Sequence, residues 1–223
     1  MEIPFADELS TRLVDILSEL PPGERLPSER ALAEQLGVSR TALRDRLMRL
    51  ESVGTIERRS GSGTYLRELS SKSTGNTIAM GMRTNNLQPD SMRPVRAALE
   101  REAARLAAKR TDHMNLARMA EALDEMEIGT EDKALSDADY RFHTALIAAS
   151  GSEGLIFFSD VMRDILRATV LEVPLKQRQA QMIPIHRPIY EAVQQKDPEA
   201  AMRAIDAHFD WLESMVESGD LIP

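Results

Sequence analysis

The chain has 223 residues, 42% of them hydrophobic, 29% charged and 4% aromatic, with a formal net charge of −8 and no cysteine. That length favours two domains, and the abundance of Ala, Leu, Arg, Glu and Met favours a mainly helical fold. The lack of cysteine excludes disulfides, thiolate zinc sites and thiol nucleophiles, and no apolar run approaches the roughly 18 residues of a membrane span.

The first residues, MEIPFADELS, lack the basic start and apolar core of a signal peptide, so a cytoplasmic protein with no membrane partner is expected. An amphipathic helix is predicted from about Phe5 to Leu20, with Leu9, Leu13, Ile16, Leu17 and Leu20 on one side. Pro21-Pro22-Gly23 ends it. Ser28 then stands as an N-cap ahead of Glu29, Leu32, Ala33 and Leu36. Gly37 supplies a tight turn, and Ser39 caps a second helix from about Arg40 to Val53. Two short helices joined by a glycine turn are a helix-turn-helix signal. The segment TIERRSGSGTYL follows as two short strands around Gly61-Ser62-Gly63, a hairpin.

Charge is unevenly spread. Residues 37–67 hold seven arginines against Asp45, Glu51 and Glu57, a local balance of +4, so the rest of the chain carries −12. A basic patch on an acidic protein points to a polyanion contacted at one end. A solvated helix face would look the same by charge alone. At ~100° per residue, Leu43, Leu47 and Leu50 form the buried stripe of the second helix. Thr41, Arg44, Asp45 and Arg49 fall on the open side, with Arg40 and Arg46 flanking. Arginines projecting from a leucine-anchored helix suit a DNA groove.

The stretch LPSERALAEQLGVSRTALRDRLMRLESVGTIERRSGSGTYL resembles the winged helix-turn-helix of GntR-family transcription regulators. The resemblance implies that Arg30 touches DNA backbone, and that Ser39, Arg40, Thr41 and Arg44 contact bases and phosphates. Arg49 joins them on the open face. Gly61 and Gly63 are the wing glycines that let the hairpin tip approach the minor groove. Ala42 stands where Pro or Thr is more usual, and Asp45 where Glu is.

Residues 1–69 are therefore expected to form the DNA-binding domain. Residues 70–88, with polar runs such as SSKSTGNT, are expected to be an irregular linker in which IAMGM makes a docking turn. Residues 89–223 read as about six helices, broken near Thr111-Asp112, Gly129-Thr130, Gly151-Ser152, Pro174 and Asp197-Pro198. An antiparallel all-helical bundle follows.

Three histidines and one carboxylate lie on apolar stripes of that bundle. Asp139 and His143, four apart, share a face with Leu135, Phe142 and Leu146. His186 sits among Met182, Ile189 and Val193, and His208 among Ile205, Trp211 and Leu212. A divalent metal would satisfy all four groups at once. Core histidines hydrogen-bonded to their neighbours would fit the same spacing. Arg96, on a stripe with Met92, Leu99, Ala103 and Leu106, faces inward either to pair with an internal carboxylate or to hold a ligand's carboxylate.

The segments DADYRFHTALIAASG and HRPIYEAVQQKDPEAAMRAIDAHF resemble the FCD ligand-binding domain of the FadR-like branch of that family. The resemblance implies that Asp139, His143, His186 and His208 hold a divalent ion (zinc, nickel or manganese), and that Arg96 anchors an effector carboxylate. Arg163 and Arg167, one turn apart, are further and weaker effector candidates, with a surface salt-bridge face the better reading for at least one of them. His113 matches nothing and is expected at the surface. The resulting expectation is a homodimeric regulator that binds a palindromic operator in double-stranded DNA and responds to a small organic acid. A metal sensor without organic effector, or a metal-dependent hydrolase, are the alternatives.

Overall fold

The computed structural model describes residues 7–67, 71–168 and 175–217, with the side chains of 73, 89–90, 164–179 and 216–217 left out. The chain divides into two compact units, residues 1–70 and 71–223.

The first unit opens with helix α1 (Glu8–Ser18). Asp7 caps it, accepting from the Ser10 N–H at 3.0 Å and the Ser10 hydroxyl at 2.7 Å. The helix is shorter than the predicted Phe5–Leu20. At its far end the Leu20 N–H turns back to the Leu17 carbonyl, ahead of the two prolines. Helix α2 (Glu29–Leu36) starts at Ser28, whose hydroxyl accepts from Ala31 N–H. It stops at Gly37, whose left-handed φ of 68° lets its N–H return to the α2 carbonyls. Helix α3 (Arg40–Ser52) is capped by Ser39 through the Ala42 N–H.

Strands β1 (Ile56–Arg59) and β2 (Gly63–Leu66) pair antiparallel, with Ile56 opposite Leu66 and Arg59 opposite Gly63. Arg25 bridges to Tyr65 on the outer side of β2. Leu13, Leu17, Leu32, Leu36, Leu43, Leu47, Leu50 and Ile56 close into one core, each worth about 1.5–3 kcal/mol when fully buried. That core orients α3 so that its arginine side points outward.

The second unit begins earlier than the sequence suggested. The stretch expected as a linker over 70–88 is largely helix α4 (Ser71–Thr84), whose Met82 packs with Val161 and Met162 and with half-buried Ile78, Ala79 and Met92. Six longer helices follow a 3-10 turn at Pro89–Met92: α5 (Arg93–Lys109), α6 (His113–Ile128), α7 (Asp132–Ala149), α8 (Glu153–Ala168), α9 (Leu175–Gln194) and α10 (Pro198–Glu217). The breaks at Asp112, Gly129, Gly151 and Asp197 fall where the sequence put them. The one near Pro174 lies outside the described residues.

Within this bundle α6 packs on α7 and α9, α5 on α7 and α10, and α9 on α10. Ala104, Met119, Phe142, Leu146, Met182, Ile189 and Ile205 form its core. Alanines at 103, 104, 107 and 108 keep α5 close to its neighbours. The inner faces of α5, α7, α9 and α10 thereby surround one buried polar site.

Candidate metal centre and DNA-binding face

Helix α7 places Asp139 and His143 one turn apart, α9 contributes His186 and α10 His208. All four are buried, and their potential donor atoms lie within 4.8 Å of one another. His186 Nε2 is 3.0 Å from Asp139 Oδ1 and 3.1 Å from His143 Nε2. His143 Nε2 is 3.6 Å from the same Asp139 oxygen. The three imidazoles meet edge to face, with centroids 4.8–5.1 Å apart. Phe142 packs against His143 and His186, and Phe209 against His208, so apolar edges enclose the cluster.

The outward-facing atoms fix the tautomers. His186 Nδ1 lies 2.7 Å from the Met182 carbonyl, which only accepts, so Nδ1 carries the proton. Prolines 184 and 188 flank His186 inside α9. His143 Nδ1 lies 2.6 Å from Glu100 Oε2, an ion-pair contact in which the ring N–H does not point squarely at the oxygen. A bare nitrogen at that distance would be repelled by the carboxylate, so this Nδ1 carries a proton too. Both Nε2 atoms then face the middle of the cluster.

Glu100 is 2% exposed, and its other oxygen accepts from Arg96 Nε at 2.7 Å. Burial opposes its ionisation, but Arg96 and His143 outweigh that and hold its carboxyl down at about 2. Burial likewise opposes ionisation of Asp139, whose carboxyl His143 and His186 keep well below its ordinary value. His143 is pushed down by burial and, on balance, up by Glu100 and Asp139. Burial, then the neighbouring His186 and His143, drives His208 well below the ordinary imidazole value.

Asp139 Oδ2 and His208 Nδ1 are buried with no hydrogen-bond partner. Each such orphan costs about 1–3 kcal/mol in a structure that leaves it unsatisfied. Three imidazoles and one carboxylate are a donor set suited to zinc, nickel or manganese. The residues therefore fit a divalent ion: converging donors, tautomers fixed at His143 and His186, and orphaned atoms inside an apolar shell.

The effector candidates separate. Arg96 is 4% exposed, at the edge of the cluster, with Nη2 3.8 Å from Asp139 Oδ2 and its guanidinium over the Phe209 ring. Arg163 is exposed and pairs with Asp160 one turn earlier on α8, so it does not join the buried group. The side chain of Arg167 lies outside the described residues. His113 is exposed. Glu100 went unnoticed in the sequence, although it follows Arg96 by four residues on the same inward stripe.

On the first unit, Arg30, Ser39, Arg40, Thr41, Arg44 and Arg49 are all exposed. Arg44 meets Glu29 at 3.0 Å, and Arg49 meets Asp45 at 3.3 Å. Arg46 is instead half-buried and pairs with Asp7 and Asp45. In the wing, Gly61 has φ of 70° with open space around it. Gly63 has φ of 127°, and a Cβ there would lie 2.6 Å from Arg25 Nε, so its glycine has a local packing reason as well.

Residues 6–66 match the family described as bacterial regulatory proteins, gntR family, and residues 91–210 match the FCD domain. The HTH-type transcriptional regulator LutR of Bacillus subtilis (strain 168) is 32% identical over 89% of this chain and 94% of its own length. The Glc operon transcriptional activator of Escherichia coli (strain K12) is 31% identical over 91% and 84%. A putative L-lactate dehydrogenase operon regulatory protein of the same organism is 28% identical over 97% and 88%. Among solved structures, Streptococcus agalactiae GntR superposes with a TM-score of 0.68 at 24% identity, covering 93% of this chain and 98% of that one. From its winged helix-turn-helix to its FCD bundle, the chain belongs to the GntR family of bacterial regulatory proteins.

Proposed function

We propose that this GntR-family regulator binds operator DNA through α3 and the wing, and senses a small carboxylate at a metal centre in its FCD domain. The carrying observation is the convergence of Asp139, His143, His186 and His208 on one buried point beside Arg96. Those four residues would hold the ion, which would supply a Lewis-acid contact for an oxygen ligand. Arg96 offers the planar cation that a carboxylate fork prefers. On the DNA side, Arg30, Ser39, Arg40, Thr41, Arg44 and Arg49 reach phosphates and base edges, and the Gly61 and Gly63 tip enters the minor groove. The protein acts as a homodimer on a palindromic operator, and controls catabolism of a small organic acid.

The name of one relative ties it to an L-lactate dehydrogenase operon, which puts hydroxy acids first in the screen. The test is a thermal-shift panel of hydroxy acids, sugar acids and dicarboxylates on chelator-treated and zinc-loaded protein. Each hit is then added to a mobility-shift titration on DNA upstream of the protein's own gene. An acid that raises the melting temperature of loaded protein and changes DNA affinity is expected. Hits indifferent to metal would overturn the joint site.

One observation favours a second reading, a metal sensor without organic effector: Arg96 is already engaged by Glu100. Chelation and metal add-back without any acid separates the two, since DNA affinity then follows the ion alone.

A further inference from the structure

We infer that Glu100 is the positioning residue of the metal centre: its carboxylate aims His143 into the donor set while Arg96 keeps Glu100 itself out of that set. The inference rests on the metal reading above. His143 and His186 both turn Nε2 toward Asp139, but they are held from behind by unlike acceptors. Behind His186 stands a backbone carbonyl, supplied by α9 itself at Met182. Behind His143 stands a side chain from another helix, the Glu100 carboxylate of α5 at 2.6 Å. An anionic acceptor behind an imidazole fixes its tautomer and makes its far nitrogen a stronger donor.

The second oxygen explains why Glu100 orients rather than ligates. Oε1 accepts from Arg96 Nε at 2.7 Å, so both oxygens are engaged away from the middle of the cluster. Arg96 also neutralises a charge that burial would otherwise make costly. A second carboxylate drawn to the ion would alter its coordination number, and the Arg96 contact holds Glu100 back from that. The pair on α5 thus sets both the aim of one ligand and the size of the ligand set.

The test uses full-length, chelator-treated protein, with Zn²⁺ affinity measured by competition against a chromophoric chelator and geometry read from the Co²⁺ visible spectrum. Glu100→Gln removes the charge and is expected to weaken Zn²⁺ binding by about 10- to 100-fold and change the Co²⁺ spectrum. Because that variant leaves buried Arg96 with only its longer, 3.8 Å contact to Asp139, the double variant Arg96→Met/Glu100→Leu removes both charges of the α5 pair together. It is expected to melt near the wild type when metal-free, yet to show the same loss of affinity and the altered spectrum. ¹⁵N-histidine NMR of the zinc-loaded wild type needs no variant: His143 is expected protonated at Nδ1 and bound through Nε2. Ligation through Nδ1, or variants with wild-type affinity and spectrum, overturns the role of Glu100 and leaves the metal reading standing. A wild type that takes up neither ion sinks both.

Discussion

His143 Nε2 stands 3.1 Å from His186 Nε2 while the opposite nitrogen of each ring faces an acceptor, Glu100 or the Met182 carbonyl. Two lone pairs are thereby turned toward each other beside a carboxylate, an arrangement that repels unless a cation or proton sits among them. Adding Zn²⁺ to chelator-treated protein is expected to raise its melting temperature. The stabilisation is about 4 kcal/mol at free metal a thousandfold above the dissociation constant. His186→Ala should lose most of that gain in the same calorimetric scan. Identical shifts in variant and wild type would remove His186 from the ligand set.

Arg44 and Arg46 lie two residues apart on α3 and are expected to fail in different ways. The Arg44 side chain is 61% exposed and held only by a surface pair with Glu29, worth at most about 1 kcal/mol. Arg44→Ala should leave the melting curve almost unchanged and weaken operator binding by 10-fold or more, since a good base contact carries about 1–3 kcal/mol. Arg46, 23% exposed and tied to Asp7, should instead lower stability when truncated. Fluorescence anisotropy on labelled operator, run beside thermal melts, separates the two. Equal loss of DNA affinity in both variants would count against the assignment of the open face.

Asp7 ties acid sensitivity to the start of α1. Its hydrogen bonds from Ser10, helped by Arg46, hold its carboxyl down at about 2, against an ordinary 3.8. A lowered folded-state value means that the contribution to stability is full above the ordinary value and disappears as pH falls from about 4 to about 2. Asp7→Asn should therefore show less amide protection in α1 than the wild type at neutral pH. The gap should close on acidification through that window. Hydrogen exchange at matched pH, corrected for intrinsic rates, reads it directly; a gap undiminished at pH 2 would show that the charge is irrelevant.

Gly75 on α4 is pressed against α8. A Cβ at this position would lie 2.3 Å from the Val161 carbonyl oxygen, a backbone atom that cannot rotate away. Gly75→Ala is expected to push α4 off α8, costing about 1–3 kcal/mol as overpacking usually does. Loss of hydrogen-exchange protection over 71–84, with Zn²⁺ affinity unchanged, is the expected signature. Full protection in the variant would mean that α8 yields instead.

That same contact shows where the sequence stopped being readable. Ser28, Gly37 and Ser39 act through their own side chain or φ, so local pattern was enough to place α2 and α3. The stripes carrying His143, His186 and His208 were legible for the same reason, since each is a property of one helix. Helix α4 was not. Its Ser, Thr, Asn and Gly residues have weak helix propensity, and its apolar face, Ile78, Ala79 and Met82, makes sense only against Val161 and Met162 some eighty residues later. Gly75 reads as a breaker until the close approach of α8 is known. Glu100 was hidden differently: its spacing from Arg96 was visible, but its contact with His143 depends on how α5 meets α7.

Four exposed or half-exposed arginines of the winged head are not bare cations. Arg44 leans on Glu29, Arg49 on Asp45, Arg58 on Glu51 and Arg59 on Glu57. A phosphate that reaches one of them competes with a resident carboxylate, so docking is expected to trade part of one anion's contact for another's as well as shed condensed counterions. Affinity should therefore fall with ionic strength less steeply than the ~0.9 per engaged arginine expected for an unmasked basic surface. Arbitrary duplex is then expected to meet a muted electrostatic pull, leaving a sequence that offers further contacts to hold the head in place.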